Sequence, residues 1–187
     1  MRAFVLPVLA AALAVLAGCG GGGEQPSPAT APSVQGFRLS ASVGGETIGV
    51  RFTCDGEDAS PALSWQGTPG GTKELALVLE DPDAPGKTFT HWLVYGLSPR
   101  TTSLPEGLPA QAKIEQPTPL RQGTNDSGDL GYSGPCPPQG ETHRYVFRLL
   151  ALDRELGLEP AGDRGVFESA IAGHLLAEAR VASSYGR

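Results

Sequence analysis

Glycine and proline punctuate this chain so densely that long helices have little room, with 26 glycines and 17 prolines spread through 187 residues. Glycine weakens helix interiors through its backbone entropy, and proline through its missing N–H and its ring. A helical bundle or coiled coil is therefore disfavoured, and the apolar residues between the breaks alternate in the manner of strands. Phe37–Ala41 and Ile48–Phe52 read as early strands around the Gly44-Gly45 turn, and Ala62–Trp65 as a short one. Leu75–Leu79 is continuously apolar, as expected of a strand buried on both faces. Trp92–Tyr95 and Tyr145–Leu152 follow the same logic. Alternation puts His91, Leu93 and Tyr95 on one side and Trp92 and Val94 on the other, and it groups His143 with Tyr145 and Phe147. Helical spacing is clear in Phe167–Leu175, where Phe167, Ile171, His174 and Leu175 share a face, and a shorter helical turn is expected after Asp153. Ser98–Ser133 reads as loop-dominated, and loops of such length are usually functional. The fold class is mainly β, with a few peripheral helices that include one near the C-terminus.

The N-terminus is an address rather than part of that fold. Met1-Arg2-Ala3 supplies a positive start, and Phe4–Ala17 an apolar stretch shorter than the ~20 residues that span a bilayer. Leu16-Ala17-Gly18-Cys19 resembles the bacterial lipobox, in which the peptide is cut before a cysteine that is then lipidated. The alternatives are an ordinary secretory signal cut nearby and a buried core helix. On the lipobox reading, residues 1–18 are a signal peptide and Cys19 carries the lipid. Each buried methylene of an acyl chain adds about 0.8 kcal/mol of membrane affinity. Residues 19–35 form a flexible Gly/Pro/Ser tether, because Gly20–Ser33 has no apolar side chain larger than alanine. The folded domain is expected over 36–187. The expected location is the cell envelope, lipid-anchored to a bacterial membrane. With 14 basic and 20 acidic side chains, a net charge of −6, the chain makes no electrostatic case for nucleic acid.

Export also places the two remaining cysteines, Cys54 and Cys136, where a disulfide persists; a bridge between them and two separate buried cysteines both fit the sequence. Three further segments stand out. Asp81-Pro82-Asp83-Ala84-Pro85 follows the most apolar strand directly, so a carboxylate is held on a stiff turn, although aspartates in such turns also serve as plain caps. Thr90-His91-Trp92 opens a strand, and Gly134-Pro135-Cys136-Pro137-Pro138-Gln139-Gly140 runs into His143-Arg144-Tyr145. His174 reads as a structural histidine. Two histidines and an aspartate at these spacings match no standard zinc pattern, and no Gly-x-Ser-x-Gly elbow occurs. Cys136 is the one candidate nucleophile, and its flanking prolines favour a structural role. The chain is read as a non-enzyme.

Four stretches together resemble the phosphatidylethanolamine-binding protein family, in its bacterial Raf-kinase-inhibitor-like branch. They are Phe52–Gly56 with Ser60–Trp65, Asp81–Pro85, His91–Tyr95, and Gly131–Pro138 running into His143–Tyr145. Weaker agreement reaches Tyr185-Gly186-Arg187, with a departure at Ala182-Ser183-Ser184, where the branch usually carries a glycine. The resemblance implies a β-sandwich-like core with peripheral helices and a small anion pocket at one end. Its pocket residues fall on Asp81, His91, His143 and Tyr145, with Gly134 and Pro137-Pro138 as a wall. It implies no cofactor and no metal. The expected partners are an anionic small molecule or a phospholipid head group, and the membrane through Cys19. The competing reading is a protein-interaction module that inhibits a partner such as a serine protease through Ser98–Ser133. In the pocket, imidazole and phenol donate to an oxyanion, backbone N–H groups of the Gly/Pro-rich loop assist, and Asp81 accepts from one histidine to fix its tautomer. Affinity for phosphate-like groups is then expected to fall as pH rises from about 5 to 8.

Overall fold

The computed structural model describes residues 34–187; the expected signal peptide, Cys19 and the expected tether up to residue 33 lie outside the described residues. Nine strands and one α-helix are found there: β1 (Arg38–Ala41), β2 (Leu63–Gln66), β3 (Glu74–Asp81), β4 (Phe89–Leu97), β5 (Ser103–Leu104), β6 (Lys113–Ile114), β7 (Leu120–Gln122), β8 (Thr142–Leu152), α1 (Arg164–Ile171) and β9 (Leu175–Gly186). The strands form a small sheet, β1-β2-β5, and a large one, β6-β7-β4-β3-β8-β9, and every pairing within them is antiparallel. Apolar residues of both sheets meet in one core, where Leu39 and Trp65 join Leu77, Trp92, Val94 and Phe147. The opposite face of the large sheet carries Ala76, Val78, Leu93, Tyr95 and Leu150, packed against Phe167 of α1 and Leu156. The expected sandwich is thus present, with a helical layer on one side. Strand β3 is buried at all eight positions because it lies at the middle of this three-layer stack. Two apolar faces explain its unbroken hydrophobic run.

Three of the expected secondary-structure elements differ in the structure. Ile48–Phe52 is not a strand: Val50–Phe52 forms a 3-10 turn. Ile48 and Phe52 are buried while Val50 is 55% exposed, a pattern that fits a helical turn and not alternation. The helix begins earlier and ends earlier than its apolar spacing predicts. Asp163 caps it by accepting from the Val166 amide at 2.9 Å, and Gly173, at φ +78°, turns the chain out of it. His174 therefore lies outside the helix, where its Nδ1 contacts Asp153 Oδ1 at 2.9 Å, and Leu175 opens a twelve-residue strand. The third departure concerns the segment after Asp153, which has turns but no helix; its Leu156 amide donates to buried Glu74.

The Ser98–Ser133 stretch is more tightly built than a loop-dominated reading implies. It holds β5, β6 and β7, and β7 pairs with β4. Buried Gln122 organises it: its Oε1 accepts the Trp92 indole N–H at 2.7 Å, and its Nε2 donates to the carbonyls of Pro109 at 2.7 Å and Gln111 at 2.9 Å. Gln122→Leu leaves the buried Trp92 indole N–H without its acceptor, while the Pro109 and Gln111 carbonyls belong to exposed residues and Pro109 keeps the Gln111 amide as a donor. At about 1–3 kcal/mol for one buried donor left unsatisfied, urea denaturation should register a loss of about 2 kcal/mol. A loss below about 1 kcal/mol would show that this stretch is held by something other than the amide.

Candidate functional site

The site lies at the end of the sandwich, where β3 runs out into the Asp81–Pro85 turn. Asp81, His91, Gly134, Pro137, His143 and Tyr145 all line one cavity of about 320 Å³. The carboxylate is committed before any ligand arrives. Asp81 Oδ1 accepts the Asp83 amide at 2.8 Å, closing a turn, and Oδ2 accepts His143 Nδ1–H at 2.7 Å. Asp83 in turn binds β8: its carboxylate takes the Arg144 amide at 2.9 Å and the guanidinium at 3.0 and 2.7 Å. Hydrogen bonds from Arg144 hold the Asp83 carboxyl down at about 2.

His91 reaches the cavity through a fault in the sheet. Leu79 pairs with Trp92 but Glu80 pairs with Thr90, so His91 is the extra residue of a β-bulge. Strict alternation would point its ring to the face of Leu93 and Tyr95. The bulge instead puts it on the Trp92 side, where it meets the Tyr145 ring edge-on at 5.3 Å and Phe89 at 4.8 Å. The expected grouping of His91 with Leu93 and Tyr95 is corrected accordingly.

The two histidines are electrically opposite. His91 Nδ1 lies 2.8 Å from the Ser133 carbonyl, which can only accept, so Nδ1 carries the proton and Nε2 presents a lone pair. Burial between the rings pushes its pKa down, against the pull of the Ser133 carbonyl and the Asp81 charge. His143 has a carboxylate on each nitrogen, Asp81 on Nδ1 and Glu141 Oε2 at 3.1 Å from Nε2. The hydrogen bond to Asp81, more than its burial opposes, raises its pKa, and the bond to Glu141 adds to this. With a carboxylate on each nitrogen, His143 is the ring whose surroundings favour the charged form, in which both N–H groups are engaged. Tyr145 is fully buried, and its hydroxyl has no hydrogen-bond partner. The Asp81 carboxylate and the Cys136 backbone lie close by without making an aligned bond to it, and burial raises its pKa.

The wall of the cavity is stitched to the 50s segment. Cys54 and Cys136 are joined by a disulfide, the Cys54 amide donates to the Pro135 carbonyl at 3.2 Å, and Tyr132 Oη donates to the Phe52 carbonyl at 2.6 Å. Gly134 admits no side chain, since a Cβ there would stand 2.4 Å from the Phe52 carbonyl oxygen and 2.5 Å from Asp58 Oδ1. Its amide donates to Asp58 at 2.6 Å. Pro135, Pro137 and Pro138 have no N–H. These residues leave the wall few backbone donors, the Cys136 amide among them, so that it contributes mainly shape. Sequence reasoning also passed over Ser133, which sets the His91 tautomer, and Glu141. The signal for Glu141 was its position two residues before His143, which puts both on one side of an extended chain. Among the described residues, no group of three or more His, Cys, Asp or Glu is placed to hold a metal ion. No helix there is long and apolar enough to cross a membrane.

Comparison with known proteins matches the phosphatidylethanolamine-binding protein family model to residues 39–186. A UPF0098 protein of Methanothermobacter thermautotrophicus is 50% identical over 137 residues, covering 73% of this chain and 89% of its own. A relative in Mycobacterium tuberculosis that carries the lipoprotein name LppC is 34% identical over 201 residues, covering 96% of this chain and 95% of its own. Among solved structures, the phosphatidylethanolamine-binding protein homologue CT736 of Chlamydia trachomatis is similar at a TM-score of 0.72 and 33% identity, covering 82% of this chain and 99% of its own.

The opposed environments of the two rings predict opposed titrations. In an NMR pH titration His91 should titrate below the ordinary histidine value of ~6.5 and His143 above it. For stability the signs differ as well. The His143 contribution is complete below ~6.5 and is lost as pH rises through its raised folded value, whereas that of His91 is complete above ~6.5 and is lost as pH falls through its lowered one. Asp81→Asn should bring the His143 titration down and leave His91 below its ordinary value. Two coincident curves near ~6.5 would contradict this electrostatic picture.

Proposed function

The chain belongs to the phosphatidylethanolamine-binding protein family, and from that premise we propose that it is an envelope binding protein whose cavity takes the oxyanion end of a small ligand, such as a phosphate monoester or a phospholipid head group. The observation that carries this reading is the Tyr145 hydroxyl, buried and without a partner at the cavity. Leaving such a group unsatisfied costs about 1–3 kcal/mol, and a ligand oxygen accepting from it removes the penalty. His91 lines the same space, and its Nε2, not engaged by the Ser133 carbonyl, becomes a second donor on taking up a proton. Around the mouth, Ala84, Pro85, Phe89, Pro137 and Pro138 are apolar, which suits a ligand with a nonpolar portion beyond its charged end.

Binding without catalysis agrees best with the contacts. The candidate nucleophile, Cys136, is tied up with Cys54, and both Asp81 oxygens are already bonded. Membrane attachment rests on the Leu16–Cys19 motif, and the lipoprotein name of the Mycobacterium tuberculosis relative supports it. On this reading a lipid on Cys19 holds the domain at the envelope.

Calorimetry with sulfate, whose charge is constant over the useful range, isolates the proton that the protein supplies. Affinity should fall as pH rises between the His91 pKa of the free protein and that of the complex. Heats measured in buffers of different ionisation enthalpy should reveal proton uptake on binding. Tyr145→Phe should weaken sulfate and phosphoethanolamine by roughly tenfold or more, the worth of a hydrogen bond to a charged acceptor. Unchanged affinity in Tyr145→Phe, together with a flat pH profile in the wild type, would reject the cavity as an anion site.

A further inference from the structure

The His143 ring sits between two unlike carboxylates. Asp81, on Nδ1, has a side chain only 5% exposed and is backed by the Asp83 amide, so this side of the ring is fixed. Glu141, on Nε2, has a side chain 55% exposed. Its backbone is nonetheless anchored, since its amide donates to the Pro138 carbonyl at 3.1 Å and its carbonyl accepts from the Arg187 amide at 3.2 Å. The carboxylate can therefore swing into water without moving the chain. Solvated on one side and screened, such a contact is worth little. The Nε2–H it occupies belongs to a ring that lines the cavity, and it stands with Tyr145 Oη, protonated His91 Nε2 and the Ser127 and Ser133 hydroxyls among the side-chain donors of the cavity residues.

We propose that Glu141 is a built-in competitor for this site: its carboxylate holds the His143 Nε2–H that an entering anion needs, and it must withdraw before the ligand takes that donor. The inference rests on the reading of the cavity as an anion site. It assigns Glu141 a positioning role that sets affinity and favours ligands whose negative charge is concentrated enough to displace a carboxylate. Like charges cannot share the donor, so each bound ligand returns one Glu141 side chain to solvent.

The test compares Glu141→Gln and Glu141→Asp with the wild-type protein, using inorganic phosphate and sulfate in calorimetry at one pH. Gln keeps the length and removes the charge; Asp keeps the charge and draws it back by one methylene, away from Nε2. Displacement of a weak, exposed ion pair predicts that both variants bind about two- to fivefold tighter. In the free protein both should also shift the His143 Nε2 nitrogen resonance while that of Nδ1, bonded to Asp81, stays in place. Tightening in Glu141→Gln alone would assign the effect to net charge and overturn the proposal, as would unchanged affinity in both. If the wild type binds neither anion, and Tyr145→Phe makes no difference, the cavity reading itself fails and this inference falls with it.

Discussion

A carboxylate at the end of a strand that water reaches from neither side has to be satisfied by the protein. That condition governs this molecule. Strand β3 is covered by the small sheet on one face and by the helical layer on the other, and Asp81 is its last residue. One oxygen is taken by the turn that follows and the other by His143, so the same residue ends the strand, fixes the turn and favours the charged form of an imidazole on β8. The Arg144–Asp83 pairing repeats the link one step further out. Turn and strand are thereby locked together, and the cavity beside them is preorganised.

Much of this was legible in the chain because the physics that shapes it is local. An unbroken apolar run can be accommodated only where both faces are dry, and Leu75–Leu79 pointed to the centre of the stack for that reason. Two prolines after Asp81 marked a stiff turn. What escaped the reading was decided by tertiary contacts. Strand β9 has three Ala and few residues of strong strand preference, Val181 and Tyr185, and it is a strand because β8 supplies eleven paired positions. The 3-10 turn at Val50–Phe52 exists because Ile48 and Phe52 both find the core, and Gly173 ended the helix before its apolar stripe did.

The site was legible as a set of residues but not as a set of electrical states. Six residues chosen from motifs meet at one cavity, yet the states of its two imidazoles depend on partners such as the Ser133 carbonyl and Glu141, which carry no signature of their own. Nor could the wall be read for its donors. A glycine- and proline-rich segment can form a nest of amides or a surface with few of them, and only the direction of the Gly134 N–H, toward Asp58, distinguishes the two.

The bulge at His91 sets the sheet and the cavity at odds over a single residue. Were Glu80 to pair with His91 and Asp81 with Thr90, the ladder would run unbroken from Leu79 and the imidazole would turn toward the α1 side. A slip of that kind leaves both apolar layers their occupants from Trp92 onward and empties the pocket of one of its two bases. Architecture and recognition can thus be lost separately here: a descendant of this chain could keep every strand and become a scaffold with no grip.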